Sequence, residues 1–393
     1  MGKQKMIYNA KIVTPQSVIE KGTIIIEDDQ IVALDTGIPR QPTDEDVDAN
    51  GSWVIPGFVD SHSDAIEMEL APRPTSIFPM DISFYELEKK LVGEGVTTIY
   101  HSLSLVEENA KMWSRQNNTV FGIIEDIKRL SNGQHLIRHK THLRYEITNT
   151  EAVEHVKDLM RDQKIDELSF MDHTPGQGQY RDIELHRKFL IEHRRFSEEE
   201  ADAKINKAGT KLEASQLQEL ADFAHELNIP VASHDDDTQE KLMLMQELRA
   251  SISEFPIELD IAEKAKELGM LVVMGAPNVL LGKSHGNNLS ALEAIRAGAV
   301  EILCSDYYPS SLLHAVFKLY RENMPMHQAV NMVTLNPAKA LKIDHEVGSI
   351  EPGKKADLLI IGEDDHRPVL ESVYVNGKVV CQMNYQASQV AVG

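Results

Sequence analysis

Residues 54–64 read Val-Ile-Pro-Gly-Phe-Val-Asp-Ser-His-Ser-Asp, an apolar run that ends in His62-x-Asp64. Its first six residues are predicted to form one buried β-strand, with Pro56 and Gly57 at the entry. Because residues i and i+2 of a strand point to the same side, His62 and Asp64 can aim an imidazole nitrogen and a carboxylate at one point. Two surface polar residues are the commoner explanation of such a pair, and metal ligands are the alternative.

The chain beyond this stretch alternates apolar, strand-like runs with amphipathic segments of helix length. This alternation predicts βα units and a parallel sheet. Eight such runs predict a (β/α)8 barrel, a fold of about 250 residues. They span residues 57–60, 96–100, 142–147, 168–171, 230–233, 252–256, 271–274 and 301–305. The run at 252–256 is the least regular, because Pro256 fits poorly inside a central strand.

Both ends of the chain have a β character that the middle lacks. Short strand-like runs precede the barrel, and an Asn376-Gly377 pair marks a hairpin near the other end. We predict an α/β fold in which residues 1–55 and 346–393 form a small β-sandwich domain beside a TIM-like barrel of residues 56–345. The charged segment 184–219 is predicted to be mostly helical, either as a solvated excursion or as a lid.

Charge and composition exclude several classes of protein. The 393 residues carry a net charge of −22, which argues against nonspecific binding of nucleic acid or anionic membranes. No apolar run approaches the roughly 20 residues that span a bilayer. Two cysteines cannot form a disulfide framework and suit a reducing cytosol. We expect a soluble cytoplasmic protein that acts on a small molecule, with a homodimer as a weak expectation.

Residue types that bind metals follow several predicted strands, at the ends where barrel active sites lie. The third run ends in Glu146, with Arg144 and His142 on the same side by alternation. The fourth is followed by Asp172 and His173, and the sequence does not decide which of them faces the site. One such residue alone is more often a helix cap or a solvated loop residue. Six together predict a metal centre, formed by His62, Asp64, Glu146, His173, His234 and Asp306.

This mixed set of imidazoles and carboxylates suits Zn²⁺, Mn²⁺ or Fe²⁺. A bridging Glu146 would suit two ions per chain, which is the prediction adopted here. Asp235, Asp236 and Asp237 follow His234 directly. They are expected to form a solvated acidic turn, with the orientation of a ligand as the alternative.

The motifs resemble those of the amidohydrolase superfamily. Residues 55–64 are similar to its first-strand motif, Pro-Gly-x-x-Asp-x-His-x-His, with Asp64 in place of the second histidine. Residues 348–358, Gly-Ser-Ile-Glu-Pro-Gly-Lys-Lys-Ala-Asp-Leu, resemble the closing segment of its β-domain. Further runs resemble one branch, the diphosphatases that act on α-D-ribose 1-methylphosphonate 5-triphosphate in phosphonate catabolism. They are residues 71–74, 169–177, 232–236, 274–278, 282–285 and 305–309.

This resemblance implies a metal-dependent hydrolase that releases diphosphate and leaves ribose 1-methylphosphonate 5-phosphate. Two metals would polarise a phosphoryl oxygen and acidify a water. Asp306 would bind metal and accept the proton of that water, and His173 or His285 could assist. A polyphosphate also needs cationic and N–H partners. The candidates are Arg73, Arg144, Gln177, Lys283, Ser284 and His285.

These assignments have alternatives. Ordinary surface charge would explain Arg73 and Lys283, and a salt bridge to a ligand would explain Arg144. The competing function is an amidohydrolase or deaminase that acts on a C–N bond of a small cyclic substrate. Asp64 in place of histidine, and loops that carry arginine and lysine, weigh against it. A scaffold that has lost its metals would show decayed ligand positions, which this sequence does not.

Overall fold

The computed structural model describes residues 4–73, 75–178, 182–192, 196–206, 210–284 and 288–385. Within these ranges the backbone forms two sheets of eight strands each. The strands are β1 (Gln4–Val13), β2 (Val18–Glu27), β3 (Gln30–Asp35), β4 (Val47–Asp48), β5 (Trp53–Pro56), β6 (Phe58–Ser63), β7 (Val96–Leu105), β8 (Arg138–Glu146), β9 (Glu167–Met171), β10 (Val231–His234), β11 (Ile252–Glu254), β12 (Leu271–Gly275), β13 (Ile302–Cys304), β14 (Leu358–Asp364), β15 (Arg367–Val375) and β16 (Lys378–Gln382).

One sheet is built from both ends of the chain, in the order β16-β15-β14-β5-β1-β2-β3, with β4 beside β1. The three last strands pair antiparallel and join the amino-terminal strands through β5. A separate apolar cluster that includes Ile12, Ile24 and Leu358 packs on this sheet. The β character predicted for both termini is therefore confirmed, and the two ends share one mixed sheet.

The other sheet contains β6 to β13 in chain order, and every neighbouring pair is parallel. A bridge between Ser63 and Asp306 joins the first of these strands to the residues after the last one. The sheet is therefore a closed eight-stranded barrel, and its strands coincide with the eight predicted runs. β11 ends at Glu254, before Pro256, so the proline lies outside the strand.

The stretch 54–59 is not one strand, as the sequence predicted, but parts of two. β5 belongs to the terminal sheet, where Pro56 pairs with Leu358, whereas β6 opens the barrel. Gly57 separates them, and a Cβ atom at this position would lie 2.3 Å from the side chain of Thr97. The chain thus passes from one sheet to the other within a single residue that only glycine fits without a shift.

Helices cover the outside of the barrel. They are α1 (Ala65–Leu70), α2 (Met80–Gly93), α3 (Asn117–Ser131), α4 (Val153–Arg161), α5 (Ile183–Glu192), α6 (Glu198–Asn206), α7 (Ala214–Glu226), α8 (Gln239–Glu247), α9 (Leu259–Glu267), α10 (Ala276–Leu281), α11 (Ala291–Arg296), α12 (Ser311–Arg321), α13 (Met326–Asn331) and α14 (Leu335–Ala340), with a 3-10 turn at Trp113–Arg115. Their apolar faces form the main core with the barrel strands, through residues such as Phe84, Ile124 and Phe317.

The charged segment 184–219 lies in α5, α6 and α7, so its predicted helical character is confirmed for the described residues. Leu190, Ala201 and Leu212 of this region are buried, and the Leu212 N–H donates to the Ile147 carbonyl. The segment is therefore packed against the barrel at Leu212. Among the described helices, none is both long and apolar enough to cross a membrane.

Candidate active site at the barrel mouth

His62, on β6, is held by a carboxylate that the sequence did not single out. Its Nδ1 lies 2.8 Å from Oε1 of Glu254, at the end of β11, and both side chains are buried. Burial, and then the charge of Arg144, lower the pKa of His62 to about 3. The ring is therefore neutral, with its Nδ1–H donated to Glu254. Its Nε2 faces Asp64, with Oδ1 3.9 Å away.

Asp64 follows β6 and forms an ion pair inside the barrel mouth. The Arg144 Nη1 donates to Asp64 Oδ1 at 3.1 Å, and the Arg144 Nη2 donates to Nε2 of His234 at 3.1 Å. Burial opposes ionisation of Asp64, but the guanidinium of Arg144 lowers its pKa. The predicted alternative for Arg144, a salt bridge to a candidate ligand, is thus present. Contact with substrate stays a prediction.

His173 and not Asp172 faces the site, which settles a choice that the sequence left open. The His173 Nδ1 lies 2.9 Å from Oε2 of Glu146, and its Nε2 lies 3.5 Å from Oδ2 of Asp235. Burial disfavours protonation of His173, yet Glu146 and Asp235 raise its pKa. Asp172 points away from the site and accepts a hydrogen bond from Lys211 at 2.6 Å.

The acidic residues after His234 do not form a solvated turn, contrary to expectation. Asp235 and Asp236 are buried, and Asp237 is half-buried. Oδ2 of Asp235 lies 3.1 Å from Nδ1 of His234, and Asp235 has a φ of +54°, which is uncommon for a residue with a Cβ. Asp236 accepts hydrogen bonds from the hydroxyls of Ser233 and Ser253. Asp236 thus has partners within the fold, whereas Asp235 contacts His234, as the predicted alternative of orienting a ligand requires.

Asp306 closes the barrel against the first strand. Its N–H donates to the His62 carbonyl at 2.9 Å, and its own carbonyl accepts from the Asp64 N–H at 2.7 Å. Burial, and then repulsion by Asp64, raise the pKa of Asp306 to about 7. The carboxyl can therefore exist in either protonation state near neutral pH, as a general base requires.

The donors at the mouth are chemically suited to a divalent metal. Three groups of side chains bring one ligand atom each to within 4.8 Å of one another, and each group contains imidazole and carboxylate. Oε2 of Glu254 and both carboxylate oxygens of Glu167 are buried without a hydrogen-bond partner, as an ion site would leave them. The groups are His62, His234 and Glu254; His173, His234 and Asp235; and His142, Glu167 and Glu254.

These groups overlap only in part with the predicted ligand set. The predicted ligands His62, His173 and His234 are members of these groups. Asp64 and Glu146 are not: Asp64 pairs with Arg144, and Glu146 pairs with His173. The ligand roles of Asp64, Glu146 and Asp306 stay predictions. Sequence reasoning did not single out Glu254 or Glu167, although Glu254 ends an apolar strand like the other candidates and could have been found by that signal.

The residues predicted to bind a polyphosphate lie in different surroundings. Arg144 is buried in the mouth, whereas Arg73, Gln177 and Lys283 are exposed on loops. Ser284 is half-buried, and His285 lies outside the described residues. The structure therefore brings one of the predicted cations to the candidate ligands, and the roles of the loop residues stay predictions.

The chain is similar in sequence to a known protein family and to characterised relatives. Residues 191–380 match the amidohydrolase family. The α-D-ribose 1-methylphosphonate 5-triphosphate diphosphatase of Escherichia coli (strain K12) is 30% identical over 386 residues, which cover 95% of this chain and 100% of that protein. The 5-methylthioadenosine/S-adenosylhomocysteine deaminase of Syntrophomonas wolfei is 24% identical and covers 88% of this chain and 81% of its own length.

Solved structures show the same fold at lower sequence identity. A molinate hydrolase superposes with a TM-score of 0.67 at 16% identity, over 96% of this chain and 95% of its own. Phenylurea hydrolase B superposes with a TM-score of 0.64 at 15% identity, over 96% of this chain and 97% of its own. The barrel with a second sheet from both termini is therefore shared with hydrolases of different substrates.

Proposed function

Because the chain belongs to the amidohydrolase family of hydrolases, we propose that it is a metal-dependent diphosphatase. Its substrate in this proposal is α-D-ribose 1-methylphosphonate 5-triphosphate, and its products are ribose 1-methylphosphonate 5-phosphate and diphosphate. The reaction belongs to phosphonate catabolism in the cytoplasm. The alignment with the Escherichia coli diphosphatase supports the proposal, since it runs over the whole of that protein.

The observation that carries the proposal is the buried guanidinium of Arg144 at the mouth of the barrel. Arginine is always charged and offers forked N–H donors that match phosphate oxygens. In an acidic chain, with a net charge of −22, such a group is a local attraction for a polyanion. A neutral heterocycle without an anionic group would make no ion pair with a cation at this place.

The proposed enzyme binds two divalent ions per chain, as the sequence pattern predicts. The ions are Zn²⁺, Mn²⁺ or Fe²⁺. The residues that would hold them are His62, Asp64, Glu146, His173, His234 and Asp306, and the three histidines also occur in the groups of close donor atoms. When bound, a divalent ion makes the phosphorus more electrophilic and the attacking water more acidic. Metal analysis of the purified protein measures their number.

Two side chains, Asp306 and His173, carry out the proton transfers of the proposed reaction. Asp306, with a pKa of about 7, takes the proton of the attacking water when it is ionised. His173, in the state in which it binds no ion, carries a proton toward the departing diphosphate, since Glu146 and Asp235 raise its pKa against the effect of burial. Diphosphate is a stabilised anion, so weak assistance to its departure suffices.

A product assay tests the proposal. The purified protein, supplied with Zn²⁺ or Mn²⁺, is given α-D-ribose 1-methylphosphonate 5-triphosphate in one reaction and 5-methylthioadenosine in another. We expect diphosphate from the first and no ammonia from the second. Ammonia from the nucleoside, with no diphosphate from the triphosphate, would assign the chain to the deaminases instead. Protein treated with a chelator serves as the control.

A further inference from the structure

Glu254 is a buried carboxylate in contact with the candidate ligand His62, and the proposed reaction gives it no role. Its Oε1 lies 2.8 Å from Nδ1 of His62, and its Oε2 lies 3.5 Å from Nε2 of His142. All three side chains are at most 1% exposed. The carboxylate therefore lies between two imidazoles in the interior of the barrel.

The hydrogen-bond chemistry fixes the orientation of the His62 ring. An ionised carboxylate only accepts hydrogen bonds, so the proton of His62 is on Nδ1. The lone pair is then on Nε2, on the side that faces Asp64 at 3.9 Å. This is the tautomer that a histidine needs in order to bind a metal through Nε2.

The neighbours of Glu254 keep it in place. The His142 Nε2 also lies 2.9 Å from the Ser169 hydroxyl, and its Nδ1 lies 3.1 Å from the Ser102 hydroxyl. The Glu254 carbonyl accepts from the Asp235 N–H at 2.8 Å, next to another candidate ligand. Strands flank β11 on both sides. A group on a rigid central strand with this support holds its partner to a narrow range of positions.

We propose that Glu254 is a positioning residue that accepts the Nδ1–H of His62 and thereby turns its Nε2 toward a divalent ion at the barrel mouth. The alternative is that Glu254 is itself a ligand, as two of the three-residue groups allow. Oε1 accepts from Nδ1 of His62, on the side of the ring away from the Nε2 lone pair, which fits positioning, whereas ligation would use Oε2, which has no hydrogen-bond partner. The number of ions bound decides between the two roles. The inference rests on the proposed function only in requiring that the mouth binds an ion, whatever the substrate.

The test measures metal binding without substrate, so a failure of the diphosphatase proposal does not affect it. Zn²⁺ affinity is determined for the wild type, Glu254→Leu and Glu254→Gln by competition with a chromophoric chelator. Replacement by leucine leaves the Nδ1–H of His62 without an acceptor. Loss of such a partner lowers metal affinity by about 10- to 100-fold. The glutamine amide oxygen can still accept that proton, so Glu254→Gln should restore most of the affinity.

The number of ions bound at saturation separates positioning from ligation. We expect this number to be the same in all three proteins. One ion fewer in either variant overturns the proposal in favour of Glu254 as a ligand. An unchanged affinity in Glu254→Leu, or a wild type without saturable Zn²⁺ binding, overturns it as well. If Glu254→Leu does not fold, Glu254→Gln decides alone: an equal ion number with affinity within about tenfold of wild type supports the proposal.

The barrel supplies a matched control. Glu88 is also a buried carboxylate paired with a histidine, His139, at 3.2 Å, and neither residue contacts the site residues described above. Glu88→Gln should leave Zn²⁺ affinity unchanged. A decrease as large as that of Glu254→Leu would show that the loss comes from general destabilisation of the barrel, and would overturn the specific role of Glu254.

Discussion

Arg144 Nη2 donates a hydrogen bond to Nε2 of His234 at 3.1 Å in the mouth of the barrel. A guanidinium has only donors, so the nitrogen of His234 presents its lone pair to Arg144. A metal bound through the same nitrogen needs that lone pair. Arg144 and an ion at this nitrogen therefore exclude each other, and the ion must displace the guanidinium from His234. An ion that also binds Asp64 Oδ1 competes with Arg144 there as well.

Replacement of Arg144 by methionine should therefore strengthen metal binding. The change frees the lone pair of His234 and an oxygen of Asp64 while it keeps most of the side-chain volume. Hydrogen bonds to charged groups contribute about 1.5–3 kcal/mol, which corresponds to a gain of about tenfold or more in affinity. The dissociation constant for Zn²⁺, measured by chelator competition, checks this. Weaker or unchanged binding would contradict the competition.

Arg115→Met is the control for that experiment. Arg115 is also partly buried near the mouth, but its Nη2 pairs with Glu67 at 3.4 Å and not with His234 or Asp64. Its removal should leave the Zn²⁺ affinity as in the wild type. A gain similar to that of Arg144→Met would indicate a general effect of removing positive charge.

Asp306 should control the acid side of the pH profile. The carboxyl accepts a proton only when it is ionised, and its pKa is raised to about 7 by burial and by Asp64. Bound divalent ions lower this pKa, so we expect kcat/KM for diphosphate release to fall about tenfold for each pH unit below a pKa that lies under about 7 and to level off above it. Initial rates between pH 5 and 9 measure the profile.

Asp306→Asn complements the profile. The asparagine cannot accept the proton, so turnover should fall by about 100-fold or more and lose its acid limb. Circular dichroism should show an intact fold, since the backbone hydrogen bonds of residue 306 remain. A variant with rates near wild type would remove Asp306 from the role of base.

A buried pair of histidines outside the site should make the fold sensitive to acid. The His101 Nε2 lies 2.9 Å from Nδ1 of His139, and burial lowers the pKa of both. The unfolded chain takes up their protons below about pH 6.5, whereas the folded protein does not. Stability is therefore full above that pH and is lost as the pH falls, by about 1.4 kcal/mol per pH unit for each histidine.

His101→Gln should make the free energy of unfolding less dependent on pH between 6.5 and 5. The unfolded variant takes up a proton on His139 but none at position 101, so one of the two contributions to the pH dependence is lost. Urea unfolding at a series of pH values measures this slope. His155→Gln changes an exposed histidine and should leave the slope as in the wild type. Equal slopes in all three proteins would mean that the buried pair is not what makes the fold acid-sensitive.

Gly57→Ala should destabilise the junction between the two sheets. The new Cβ would lie 2.3 Å from the side chain of Thr97, so a strand must shift, at a cost of about 1–3 kcal/mol. Gly122→Ala is the matched control, because a Cβ there meets nothing within 4 Å and the position is inside α3. That change should stabilise the protein, by up to about 1 kcal/mol. Urea midpoints compare the two.

The architecture could be predicted because its signals are local. Eight apolar runs with helix-length segments between them indicate parallel strands, and the barrel has those eight strands. The β character of both termini also follows from short-range alternation and turns. Gly57 shows the limit of such signals. The apolar run through it continues without interruption, and only the pairing of Pro56 with Leu358 divides it between two sheets.

Positions at the barrel mouth were predictable where residue type and place along a strand suffice, as for His62 and His234, whose roles as ligands stay predictions. The contacts of these residues were not, because the partners lie far apart in the chain. His62 and Glu254 are 192 residues apart, and Arg144 and His234 are 90 apart. The same holds for His173 and Asp172, since neighbours at a strand end can turn to either side. The sequence by itself determined the eight barrel strands and the types of candidate ligand at their ends. The tertiary structure decided which of them meet, because closure of the barrel sets the distances between strand ends.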